Sequence, residues 1–128
     1  MGNSTALGSV TATVTVQSGA TLDLASYAPG LQPIVVGGSG IGGNGALVND
    51  TADQNNALRA VTLSSNTVIR ADNLFGIRTA AETDPGFAGN GFTLTKTGLN
   101  QLNLNGGEAN VSGTTVWDSD LGDVNILQ

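Results

Sequence analysis

Cysteine and histidine are both absent from the 128 residues. Without cysteine there is no disulfide framework, no thiolate zinc site and no thiol chemistry. Without histidine the commonest general base and metal ligand is missing, and no serine has an imidazole partner to activate it. Aromatic residues make up only 4%, so a core has to be filled by Val, Leu, Ile and Ala in thin layers. That favours stacked sheets over a bulky globular centre. The four basic residues, Arg59, Arg70, Arg78 and Lys96, are scattered along a chain whose formal charge is −6. A nucleic-acid footprint needs a basic stripe, and an anionic membrane surface repels such a chain, so neither is an expected partner. No apolar run approaches the roughly 18–20 residues of a membrane span, which argues against membrane insertion. The opening MGNSTALGSV lacks the basic-then-apolar order of a secretory signal. The expectation is either a cytoplasmic protein or a piece of a longer exported chain, long enough for one domain or one slice of a repeat.

Present instead are 19 glycines and many threonines, serines and asparagines, which supply solubility in place of charge. In VTATVTV, residues 10–16, Val10, Ala12, Val14 and Val16 alternate with Thr11, Thr13 and Thr15, the pattern of a half-buried strand. After a turn at Ser18-Gly19, TLDL turns Leu22 and Leu24 inward around Asp23. Further short runs follow at 33–36, 46–48, 58–63, 67–70, 74–77, 92–96, 99–104, 114–117 and 123–127, divided by turn-forming Gly, Asn, Ser and Asp. DTADQNNALRA, 50–60, has too few apolar positions for a helix and reads as a loop with room for one helical turn. Residues 25–33, 50–57 and 79–91 are expected to protrude and to carry any recognition.

An internal echo points to a repeat. Val14-x-Val16-x-x-Gly19-x-x-Leu22 matches Val61-x-Leu63-x-x-Asn66-x-x-Ile69, with Gly and Asn, the residues best suited to a left-handed turn, in one slot. The offset of 47 (61 − 14) corresponds to two coils of a solenoid repeating every ~20–25 residues. Phe92-x-Leu94 followed by Gly98 reads as a third, irregular copy. Together these features predict an all-β chain forming a parallel β-helix (solenoid) of about five to six coils as a single segment over 1–128. An antiparallel β-sandwich is the alternative, although Asn-Gly hairpins between long alternating strands are missing.

The run GFTLTKTGLNQLNLNGG (91–107), then VSGTTV (111–116) and DLGD (120–123), resembles the autotransporter-associated β-strand repeat of bacterial surface proteins. In that family an LTKTG strand pair leads to a GTTV strand and an LGD corner. VTVQSGATLDL and GSGIGGNGALVN resemble the segments that precede such repeats. The stretch between Gly107 and Ser112 is shorter than in the family, and Trp117 stands where a small residue is usual. The resemblance implies a right-handed β-helix, secreted or displayed on the bacterial cell surface, acting as a stalk or adhesive passenger. Host or cell-surface glycans or proteins are then the expected partners.

Candidate chemistry is sparse. GGSGIGGNGALVND, 37–50, contains the G-x-G-x-x-G spacing of a dinucleotide loop at Gly38, Gly40 and Gly43, but ALV rather than a helix follows it. It also lacks the aspartate of a calcium-binding glycine repeat, so its glycines read as tight corners between coils. Asp118, Asp120 and Asp123 in WDSDLGD are the calcium candidates, since Asp118 and Asp120 share a strand face. A solvated turn is the reading preferred here, because the further acids of an EF-hand are missing. Hydrolysis or lyase chemistry could draw on Asp118 with Asp120, Glu82 with Asp84, or Arg59, Arg70 and Arg78, but no pattern selects them. The chain is therefore expected to be non-enzymatic and without a cofactor, a carbohydrate-binding or polysaccharide-cleaving fragment being the alternative. Tyr27, Asp53, Asp84, Phe87 and Trp117 are the residues expected to face a partner; Tyr27 or Trp117 could stack on a sugar ring, although a single exposed aromatic more often covers a coil edge. The Thr11, Thr13, Thr15 row resembles an ice-binding array, but neighbouring segments do not repeat it. Unpaired strands at the ends of a solenoid predict capping or self-association.

Overall fold

The computed structural model describes residues 1–78, 86–105 and 122–127. Within them the chain is all-β, with one turn of 3-10 helix at Ile41–Gly43. The strands are β1 (Val14–Val16), β2 (Leu22–Asp23), β3 (Ile34–Gly38), β4 (Leu47–Asn49), β5 (Gln54–Leu58), β6 (Ala60–Ala71), β7 (Phe75–Arg78), β8 (Gly86–Ala88), β9 (Leu94–Thr97), β10 (Leu102–Asn105) and β11 (Val124–Ile126). Every pairing among them is parallel. That removes the antiparallel sandwich for the described residues, since tight hairpins produce antiparallel neighbours.

The pairings form three stacks, which the chain visits in a fixed order. The first stack is β1, β3, the start of β6 and β8; the second is β2, β4, the end of β6, β9 and β11. The third is β5, β7 and β10, with Gly30 bridging to Leu58. One pass through the stacks brings the chain back beside itself 19 to 30 residues later, from Leu58↔Ile77 to Leu94↔Val124. Strand β6 runs unbroken over 12 residues and serves two stacks, with β3 and β8 along its first part and β4 and β9 along its second.

Aliphatic residues line the inner face because each occupies the same register position as the one before it. Val14, Ile34, Val61 and Phe87 form one file, and Leu22, Leu47, Ile69, Lys96 and Ile126 another. Ile34, Leu47, Leu58, Leu63, Ile69, Phe75 and Ile77 are all essentially inaccessible to solvent. The echo at 47 is thereby explained: Val14, Ile34 and Val61 are consecutive in one file, as are Leu22, Leu47 and Ile69. Two passes separate the matching residues. The turn slot is less regular, since Gly19 has φ of 85° but Asn66 is not left-handed. Asn66 instead accepts a hydrogen bond from the Thr93 backbone amide at 3.0 Å. The third copy is out of phase, because Leu94 pairs with Thr67 in the second stack rather than with Leu63.

Three further expectations change. The first strand begins at Val14, not Val10, which is 56% exposed. Pro33 would face Thr13 and has no N–H to extend the ladder, so Ser9 to Ala12 close a turn instead, with Ala12 N donating to Ser9 O. The threonine row is broken with it. The segment 50–60 contains a strand, β5, because Ala57 and Leu58 are needed in the core beneath Ile77. Lys96, one of the four scattered basic residues, stands on an inward file between Ile69 and Ile126, with its Nζ donating to Gly98 O.

Candidate functional site

Between Val36 and Leu47 the second pass leaves its stacks and makes an outward excursion. Eight positions separate Val14 from Leu22 and Val61 from Ile69, but thirteen separate Ile34 from Leu47. Gly45 N donates to Ser39 O at 2.8 Å and closes the base, leaving Ile41 to Asn44 at an exposed tip. Thr21, from the pass before, fastens both feet: its hydroxyl donates to Gly45 O at 2.8 Å and accepts from Ile41 N at 3.0 Å. Gly40, with φ of 76°, has no room for a side chain, since a Cβ would lie 1.9 Å from Gly45 O. Glycine is needed here so that two backbone segments can touch. The excursion joins the first stack to the second within one pass, rather than one coil to the next.

Its tip overhangs a groove of about 380 Å³ lined by Gly43, Asn44, Arg70, Asp72, Thr97, Gly98 and Leu99. Arg70 points outward from β6, on the face opposite to Ile69, and lies in register with Val48 on one side and Thr97 on the other. Asp72 Oδ2 accepts from Arg70 Nε at 2.7 Å and lies 2.6 Å from Nη2. The hydrogen bond to Asp72, and then the charge of that carboxylate, hold the guanidinium above its ordinary pKa, with Asp50 adding a smaller push. Partial desolvation acts in the opposite sense. The two side chains, 40% and 24% exposed, make a fixed, open ion pair. Gly98, with φ of 86°, leaves the carboxylate uncovered, since a Cβ there would come within 2.7 Å of Asp72 Oδ1. Leu99 at the rim is 87% exposed.

The residues expected to face a partner are scattered. Tyr27 is 38% exposed, beside Ala25 and Ser26, which both have positive φ. Asp53 is exposed, but its Oδ1 accepts from Leu74 N at 2.8 Å and so fastens β5 to the turn before β7. Phe87 is corrected from the surface to the core: it is 6% exposed and stacks on Val61. Asp84 and Trp117 lie outside the described residues, as do Glu82, Asp118 and Asp120. Asp123 is exposed, and its backbone carbonyl accepts from Leu94 N at 2.9 Å. Among the described residues no three acidic side chains converge on one point. Arg59 is half-buried in the turn between β5 and β6, apart from the groove lining.

Neither Asp72 nor the grouping of Asn44, Thr97 and Leu99 was reached from sequence. Arg-x-Asp at the end of an extended run can place both side chains on one face, a signal obscured because the run is read as ending at Arg70 and Asp72 lies just past β6. Next to the groove, and sharing Leu99 with it, β9, β10 and β11 flank an apolar cleft of about 390 Å³ whose lining also includes Leu94, Lys96, Leu102, Leu104, Val124 and Ile126. Val124 and Ile126 are 56% and 69% exposed. Comparison of the chain with protein-family models, with curated proteins and with solved structures finds no match. The likeness of residues 91–123 to the autotransporter-associated repeat therefore stands on those residues alone.

Proposed function

We propose that this chain is a right-handed parallel β-helical segment of a secreted or surface-displayed bacterial protein, non-enzymatic, that holds corner excursions outward for recognition. The observation that carries this reading is the constant order of the three stacks, with each strand pairing to the strand one pass before it. A chain that repeats first, second and third stack while burying one aliphatic file per position is built by winding, and parallel crossovers wind right-handed. Such a scaffold saturates its backbone hydrogen bonds between passes, so length can be added at corners without disturbing the core. Export and an adhesive role follow from the resemblance of residues 91–123 to surface-protein repeats. Strand β11, exposed and paired on one side only among the described residues, supports self-association at that end, since an open parallel edge templates a further strand.

The test is display of the chain between a secretion signal and an outer-membrane translocator in a Gram-negative host. A protease-resistant segment reaching the cell surface, and adhesion of those cells to glycan- or protein-coated plates, are expected. Degradation before display, or turnover of an acidic polysaccharide with or without calcium, would sink the scaffold reading.

A further inference from the structure

We propose that the groove over Arg70 and Asp72 is a binding site for a neutral saccharide, which it holds through a pair of vicinal hydroxyls. The proposal deepens the recognition part of the function above by naming the site and the ligand class; it does not depend on export. Its basis is an ion pair whose hydrogen-bonding capacity is only half used. Asp72 Oδ2 takes both contacts from Arg70 Nε and Nη2. Among the described residues, Asp72 Oδ1 and Arg70 Nη1 make no side-chain hydrogen bond. Nη1 lies across the guanidinium from the carboxylate, so the donor next to Asp72 is the second N–H of Nη2, which the pairing orients in the guanidinium plane while Oδ1 remains an acceptor. A sugar diol is complementary to that arrangement: one hydroxyl donates to the carboxylate while its neighbour accepts from the guanidinium.

Charge selects among ligands. The pair is neutral as a unit, and Asp50 lies close enough to act on Arg70 in a chain of net charge −6, so phosphates, sulfates and uronic acids are disfavoured. A divalent cation wants several oxygen ligands, and the groove lining offers a single carboxylate already neutralised by arginine. Shape adds the rest. The groove, at about 380 Å³, falls in the size range of small-ligand sites. Its upper wall is the tip Gly43-Asn44 of an excursion that the first and third passes lack, and its lower wall is Thr97 to Leu99. Asn44 brings an amide with both donor and acceptor, and Thr97 a hydroxyl. Leu99, a large apolar side chain left 87% exposed, provides a surface for the C–H face of a pyranose ring. Four polar groups and one apolar platform thus come from three successive passes of the chain, with Gly98 keeping the carboxylate open.

The experiment is a two-dimensional ¹⁵N NMR titration of the full chain with methyl β-galactopyranoside, methyl α-mannopyranoside, glucuronic acid and inorganic phosphate as separate probes. At least one neutral glycoside is expected to shift the amides of residues 43–44, 70–72 and 97–99, with a Kd on the order of 1–10 mM for a single ring. Glucuronic acid and phosphate are expected to leave them in place. Asn44→Ala, at an exposed tip outside the ion pair, is expected to weaken binding about threefold to tenfold. Asp72→Asn is expected to weaken it further. No shift with either neutral glycoside, equal shifts with phosphate, or wild-type affinity in both variants would overturn the proposal. The scaffold reading fails separately, through loss of the dispersed β-sheet spectrum and of slow amide exchange along β6 in the unliganded chain.

Discussion

Of the corners that carry the chain from the first stack to the second, those of the second and third passes differ most plainly. In the third pass, Ser64 to Asn66 continue β6 without a break, and Thr67 Oγ1 donates to Ser65 O at 2.7 Å. In the second pass, Ser39 to Ala46 make the glycine excursion. Yet the strands on either side of both corners stay in register with one another, Val36 with Leu63 before the corner and Leu47 with Ile69 after it. Register is therefore set by the inward files, and a corner absorbs whatever length the sequence contains. A one-residue slip would turn each buried Leu or Ile toward solvent, a cost that no corner hydrogen bond can offset.

That comparison can be broken in order of severity. Ile69→Ala opens a cavity in the file that both corners serve, and a loss of about 2–5 kcal/mol is expected in denaturant unfolding; a loss below that would mean the files do not govern register. Gly40→Ala forces a side chain into φ of 76° against Gly45 O, with an expected cost of about 1–3 kcal/mol. Thr21→Val keeps the volume but removes the two hydrogen bonds that fasten the excursion. About 1 kcal/mol should be lost, with amide exchange quickened at residues 39–46 only. Deleting residues 40–44 shortens the second corner toward the third and is expected to change stability by less than about 1 kcal/mol, because loop-closure entropy depends weakly on length. A large loss on deletion would show that the excursion is part of the core.

The same comparison explains what could be read from the sequence. The all-β class, the short strands and the two-pass spacing were legible because Val14, Val16 and Leu22 share side-chain type and spacing with Val61, Leu63 and Ile69. The single-pass repeat was not, since the five-residue excursion between Ile34 and Leu47 puts the intervening copy out of step. The strand Gln54–Leu58 was hidden because its polar residues, Gln54 to Asn56, outnumber Ala57 and Leu58. Burial was misjudged at Phe87 for a related reason: glycine-rich flanks read as a loop, while its partner Val61 lies 26 residues away (87 − 61). The groove was invisible for a simpler reason. Asn44, Arg70, Asp72 and Leu99 come from three passes, and nothing local to any one of them announces the others.

The spacing of the pairings also has a mechanical consequence. Each strand is held mainly by the strand one pass before it, 19 to 30 residues away, so a chain drawn from one end would not come apart all at once. It would peel, each pass releasing a similar length of polypeptide: at ~3.4 Å per residue, roughly 25 residues extend to about 85 Å. Strand β6, bonded on both sides in two stacks, would be the point where peeling pauses. A force trace with a staircase of near-equal steps, and a dwell at the third pass, is the behaviour of a tether that yields by increments under load.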